Sequence, residues 1–312
     1  MISIKDILCP VDFTAFSRHA LQHALQLAKW FESTVTVLYV YPPPTAPPAV
    51  LFGGLPGPLP IEPYPALTVS PEHVKQEVTA QVTTFAATVD ASGVQLRIDA
   101  RAGTPVKGIL HEAAARHSDL IVMGTHGHSG FDRWVLGSVT EKILRKASCP
   151  VLTVPPPVGE PTVDAVTMFK RILCPIDFSE PSMKALEYAL SLAKEADAEL
   201  LLMHVIEGVP DAPHWQQPTG PAVVEYLRLA EGDAIKRLAA VMPHDATTWC
   251  HPHTVLATGK PYVEILRTAR ERDVHLIVMG VHGRNAIDLT FFGSTTNHVV
   301  RAATCPVLTL KG

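Results

Sequence analysis

The stretch ILCPVDFTAFSRHALQHALQLAK, residues 7–29, decides the fold, because it returns as ILCPIDFSEPSMKALEYALSLAK at residues 172–194. Each copy opens on a short apolar run of strand length and continues into a helical stripe. In the first the stripe is Ala20, Leu21, Ala24, Leu25 and Ala28, and in the second Ala185, Leu186, Ala189, Leu190 and Ala193. Apolar side chains three and four residues apart share one helix face. Asp12 and Asp177 stand where strand gives way to helix.

Outward from this anchor the repetition continues. LIVMGTHG at 120–127 returns as LIVMGVHG at 276–283, and CPVLTV at 149–154 as CPVLTL at 305–310. The offset is 165 between Ile7 and Ile172 but 156 between Leu120 and Leu276, so the first copy is nine residues longer. That excess is assigned to a Pro-rich excursion over 42–71, and a second Pro-rich run from Pro155 to Pro161 reads as a linker. The chain holds 28 prolines in 312 residues, and much of the surplus falls in these two places. The expected organisation is one domain over 1–154, a linker over 155–167 and a second domain over 168–312.

In the first copy Ile4 to Cys9, Val35 to Val40, Val94 to Ile98, Leu120 to Met123 and Val151 to Val154 are runs of strand length. Strands this apolar, alternating with helices, are buried on both faces and run parallel with right-handed crossovers. Two tandem doubly wound, Rossmann-like α/β domains, each with a parallel five-stranded sheet, are expected. Ligands of such sheets bind beyond the carboxyl ends of the strands, at the switch point.

At that end, after the fourth strand, stands GTHGHSGFDRWVLGSVTEKIL, with Gly124, Gly127, Gly137 and Ser138 in the pattern Gly-x2-Gly-x9-Gly-Ser. Gly280, Gly283, Gly293 and Ser294 repeat it at identical spacing. Glycines there let backbone N–H groups approach anionic oxygens, and a helix N-terminus adds its positive dipole end. Ser138 is read as the helix cap, in a capping box with Glu141. Plain turn and capping roles are the competing reading. For Asp12 and Asp177 the alternatives are acceptance of ribose or adenine hydrogen bonds and a part in starting the helix. Neither the P-loop nor the G-x-G-x-x-G pattern is present.

These paired marks resemble a tandem universal stress protein of the ATP-binding branch. The resemblance covers nearly all of 1–154 and 168–312. It implies ATP, with magnesium, in both domains. Pro10, Val11 and Asp12, the backbone of Val40, and Gly124, Gly127, His128, Gly130, Gly137, Ser138, Val139 and Thr140 would form the first site. Pro175, Ile176, Asp177, Val205, Gly280, Gly283, Arg284, Gly293, Ser294, Thr295 and Thr296 would form the second. The second copy departs in Ala286 for Gly130, Leu289 for Arg133 and Asn297 for Glu141, the last weakening the expected capping box. The family also implies that CPVLTV and CPVLTL pair edge to edge, making the chain a pseudo-dimer that can itself dimerise and engage a protein partner.

Composition narrows the function classes. Lys plus Arg is 26 against 30 for Asp plus Glu, a net charge of -4, without the basic excess of a general nucleic-acid binder. No apolar run approaches a membrane span, and the N-terminus lacks signal-peptide features, so a soluble cytoplasmic protein is expected. The five cysteines form no C-x-x-C pair and read as buried packing residues. Cys250, His251 and His253 resemble a metal cluster, but strand alternation sends Cys250 to the face opposite the two histidines. With no lysine at the phosphate turn, the preferred reading is a nucleotide-sensing stress-response module with at most slow ATP hydrolysis and no assigned catalytic residue. The alternatives are a dimer-mimicking scaffold with vestigial sites and a small-molecule or metal-dependent enzyme on the same fold.

Overall fold

The computed structural model describes residues 2–43, 70–125, 136–156, 169–207, 221–243, 246–248, 250–281 and 293–311. In the first half β1 (Asp6–Pro10), α1 (Ala15–Phe31), β2 (Thr34–Tyr41), α2 (Pro71–Ala86), β3 (Gln95–Ala102), α3 (Pro105–Arg116), β4 (Leu120–Gly124), α4 (Ser138–Lys146) and β5 (Val151–Val154) follow one another. The second half repeats them as β6 (Arg171–Pro175), α5 (Glu180–Ala196), β7 (Glu199–Ile206), α6 (Pro221–Val241), β8 (His251–Thr258), α7 (Pro261–Glu271), β9 (Leu276–Gly280), α8 (Ser294–Ala302) and β10 (Val307–Leu310).

Among the described residues all ten strands join one sheet in the order β3-β2-β1-β4-β5-β10-β9-β6-β7-β8. Within each half the neighbours are parallel, as the alternating pattern predicts. At the seam β5 and β10 run antiparallel, with Leu152 opposite Leu308. Thr153 donates its hydroxyl to the Val307 carbonyl at 3.1 Å and Thr309 donates to Val151 at 3.1 Å, a pair related by the pseudo-twofold. These buried hydroxyls are thus satisfied by the opposite half.

The striped helix α1 is buried through Ala20, Leu21, Ala24 and Ala28, and α5 through Ala185, Leu186, Ala189 and Ala193. Both belong to one apolar cluster on one sheet face that includes Leu152 and Leu308, so this core is shared by the two halves. The opposite face is shared likewise, with Ile143 of α4 and Val299 of α8 in one cluster. Phe169, at the start of the second half, stacks parallel on His23 of α1 at 5.8 Å and meets Trp30 edge-on at 5.7 Å.

Pro71 is the first residue of α2, capped by Ser70, whose hydroxyl accepts from the His73 amide at 3.1 Å. The remainder of the Pro-rich excursion, 44–69, and most of the linker, 157–167, lie outside the described residues. The offset between copies is 165 at the end of β2, 150 at the next helix start and 156 at the following strand. The first connection is therefore fifteen residues longer, and the longer α6 with its exit turn returns six.

Cys9, Cys174, Cys250 and Cys305 are buried, as read from the sequence. Burial pushes the Cys174 and Cys305 thiols up to about 12, and Cys149, which is half-buried rather than buried as the sequence suggests, up to about 11, which favours the protonated thiol. Cys250 is buried while His251 and His253 are exposed on β8. Among the described residues no helix is long and apolar enough to cross a membrane.

Candidate functional site

The site begins at the switch point. Ile7 pairs with Leu120 and Pro10 with Leu38, and continuing both registers sets Asp12 level with Val40 on one side and Thr125 on the other. In the second half the same construction sets Asp177 level with Val205 and Val281. Leu38 uses its carbonyl to receive the Val11 amide at 2.9 Å, and Tyr41 uses its own to receive Gly103 at 2.8 Å. Successive residues of a strand direct their backbone groups to opposite sides, so Val40 presents its amide and carbonyl toward β1 where β1 has already ended. Met203 receives Ile176 at 2.7 Å and Ile206 receives Gly259 at 3.0 Å, which leaves Val205 in the equivalent position.

The turns after β1 and β6 are alike. Asp12 Oδ1 accepts from the Thr14 amide at 3.1 Å and hydroxyl at 2.5 Å, and Asp177 Oδ1 accepts from Ser179 at 3.1 and 2.5 Å. Thr14 and Ser179 are the residues that cap α1 and α5, so each aspartate also serves the helix start. This helix-start pattern is visible in the sequence as Asp-Phe-[Thr/Ser]. Phe13 and Phe178, between them, both have φ of 63°, in the left-handed region that a bulky residue adopts only under constraint. Phe13 packs on Tyr39 at 4.5 Å and Phe85 at 5.5 Å; Phe178 packs on His204 at 4.9 Å with the Arg237 guanidinium 3.9 Å above its ring. No side-chain pattern announced these two residues, because backbone strain leaves none. Pro10 and the side chains of Val11 and Ile176 are buried, so these three offer the site backbone only, whereas Pro175 is half-buried.

Gly127, His128, Gly130, Gly283 and Arg284 lie outside the described residues. The segments that carry them have defined ends. The Gly137 amide donates to the Thr125 carbonyl at 2.8 Å and Gly293 to Val281 at 3.0 Å, which pins the first turns of α4 and α8 to the ends of β4 and β9. Thr140 donates its buried hydroxyl to the Gly124 carbonyl at 2.9 Å, and Thr296 to Gly280 at 2.9 Å. Their hydroxyls therefore fasten helix to strand. Ser138 and Ser294 are exposed at the helix starts, followed by the half-buried Val139 and Thr295. A helix leaves its first amides without intrahelical acceptors, and here they open at the carboxyl edge of the sheet.

The expected capping box does not form. Gly137 occupies the cap, so Ser138 is already the first helical residue; the Glu141 amide bonds the Gly137 carbonyl at 2.9 Å and its carboxylate meets Arg301 at 3.3 Å. A glycine cap has no side chain to bond, and Gly293 does the same for α8. The exchange of Glu141 for Asn297 accordingly changes charge rather than capping.

The two sites also differ where α3 and α7 pack. At Gly108 a β-carbon would lie 2.8 Å from Val40 Cγ2, so α3 rests directly on Val40, whereas Glu264 stands at the matching place in α7. At Gly280 a β-carbon would lie 2.8 Å from the backbone carbon of Pro181. Gly280→Ala is expected to cost about 1–3 kcal/mol in urea unfolding, since the backbone of α5 must shift, and an unchanged midpoint would refute this contact.

The model of the universal stress protein family matches residues 3–155 and 168–311, both halves of the chain. The chain belongs to the universal stress protein family. A universal stress protein of Mycolicibacterium smegmatis is 26% identical over 310 residues, 98% of this chain and 96% of that protein. One from Methanocaldococcus jannaschii is 33% identical over 150 residues, 46% of this chain and 83% of its own length. The crystal structure of a universal stress protein from Archaeoglobus fulgidus matches 99% of this chain and 97% of that one, with a TM-score of 0.61 at 23% identity. The universal stress protein fold is thus present twice, and β5 and β10 join the copies into an intramolecular pseudo-dimer.

Proposed function

We propose that this universal stress protein is a two-site ATP-binding module that senses nucleotide and passes its occupancy to a partner. The observation that carries the reading is the register: in each half an aspartate turn, an outward-facing strand backbone and a pinned helix N-terminus stand level around one switch point. Triphosphate suits the first amides of α4 and α8, where the dipole is positive and Gly137 and Gly293 present no side chain. Gly127, His128 and Gly130, with Gly283 and Arg284, would complete the phosphate side. Val40 and Val205 would hold adenine by backbone. Asp12 and Asp177 would accept from ribose; a carboxylate accepts on both oxygens, so this role is compatible with starting the helix.

Magnesium would enter with the nucleotide, neutralising its phosphates. Positioning and charge dominate phosphoryl transfer, and the first turns of α4 and α8 supply amides and hydroxyls rather than a cationic clamp, their basic residues lying further along each helix. The reading is therefore binding with at most slow hydrolysis, in a soluble cytoplasmic setting, with domain limits at 1–154 and 168–312. The scaffold reading draws on the packing duties of Gly280 and Thr140.

Native mass spectrometry and titration with labelled ATP separate the two. Two equivalents are expected for the intact protein and one for each of Gly137→Asp and Gly293→Asp. Unchanged stoichiometry in either variant removes that half from the proposal. Absence of ATP binding in the parent protein leaves the scaffold.

A further inference from the structure

One guanidinium joins the two motif helices. Arg301, in the last turn of α8, donates through Nε to Asn297 Oδ1 at 2.6 Å and through Nη2 to Glu141 Oε2 at 3.3 Å, across the pseudo-twofold. Glu141 lies in the first turn of α4, three residues and about 4.5 Å along the axis from Ser138. A carboxylate there competes with an incoming anion for the positive end of the helix. The repeat does not reproduce this arrangement, because the mate of Glu141 is the uncharged Asn297, while Arg145 and Arg301 are both retained. Only the first motif helix carries the opposing charge, and the second half supplies the cation that meets it.

We propose that Arg301 is a positioning residue of the first nucleotide site, contributed by the second half: it draws Glu141 toward the seam and cancels its charge toward the phosphates, so the first site is incomplete without the second domain. This rests on the nucleotide reading above. Lys311, next to the end of β10, donates to the Arg145 carbonyl at 2.6 Å and so ties the last turn of α4 to the second half as well. The motif helix of the first half is thereby held at both ends by the second.

The test uses full-length protein carrying Gly293→Asp, so that titration calorimetry with Mg-ATP reads the first site alone. Adding Arg301→Gln is expected to weaken ATP about two- to fivefold, the range for a half-exposed pair, with a larger effect at low ionic strength. Further adding Glu141→Gln should restore the affinity, which a merely structural role for Arg301 would not. In the Gly137→Asp background, Arg301→Gln should change ATP affinity less than twofold. Equal affinity with and without Arg301, or failure of Glu141→Gln to rescue, overturns the inference while nucleotide binding stands. Absence of ATP binding in the parent protein overturns the nucleotide reading and this inference with it.

Discussion

At pH 5 the protein is expected to be about 2 kcal/mol less stable than at pH 7.5 on account of His23 alone. His23 lies in the seam between α1 and Phe169, 4% exposed, and its Nδ1 has no hydrogen-bond partner among the described residues. Burial, reinforced by neighbouring His19, pulls its pKa from 6.5 down to about 3. The folded protein therefore keeps the imidazole neutral, whereas the unfolded chain takes up a proton below about 6.5. Because the unfolded state binds more protons, stability falls as pH drops from 6.5 toward 3 and is fully present above that window. His19, 4.8 Å away, is lowered in the same direction by its own burial. His23→Leu removes the titrating group and the orphaned nitrogen while keeping an apolar side chain against Phe169. Urea unfolding at the two pH values should show the parent losing about 2 kcal/mol more than the variant. Equal losses would mean that His23 does not stay neutral in the folded protein.

Replacing Leu308 with Asp should cost at least about 4 kcal/mol, a large share of a domain's net stability. Leu308 is 3% exposed, faces Leu152 in the antiparallel ladder and belongs to the core shared by α1 and α5. A carboxylate there meets a ladder whose threonine hydroxyls are already paired to backbone carbonyls. Leu308→Ala, which leaves a cavity without a charge, should cost about 2–5 kcal/mol and serves as the milder comparison. Since residues of both halves line this core, the first half should lose stability with the second. With Trp134, Trp215 and Trp249 replaced by Phe, the fluorescence of Trp30, which packs on Phe169, reports that coupling in urea titration. A Trp30 transition that stays in place while the second half melts earlier would refute a shared core.

How much of this was legible beforehand follows the range of the interactions concerned. The strands and the striped helices were readable because periodicity is local: Val151 to Val154 is a strand with the bounds its residues suggest, and Ala20, Leu21 and Ala24 are buried as their spacing requires. The sequence points to Ser138 as the cap of α4 and the structure has Gly137 there, since both residue types are favoured at a helix cap and only the backbone path distinguishes them.

By itself the sequence determined that two copies of one α/β unit are present, that each ends its fourth strand in the same glycine spacing, and that Asp12 and Asp177 stand where the first strands give way to helix. Those are properties of neighbouring residues, repeated. The tertiary structure alone decided that the copies share one ten-stranded sheet and two cores among the described residues, that the registers of β1 with β2 and β4 extend to set Asp12 level with Val40 and Thr125, and that Arg301 meets Glu141 160 positions earlier in the chain. Such contacts depend on strand register and on the antiparallel seam, and no local pattern encodes which distant side chain a guanidinium will reach.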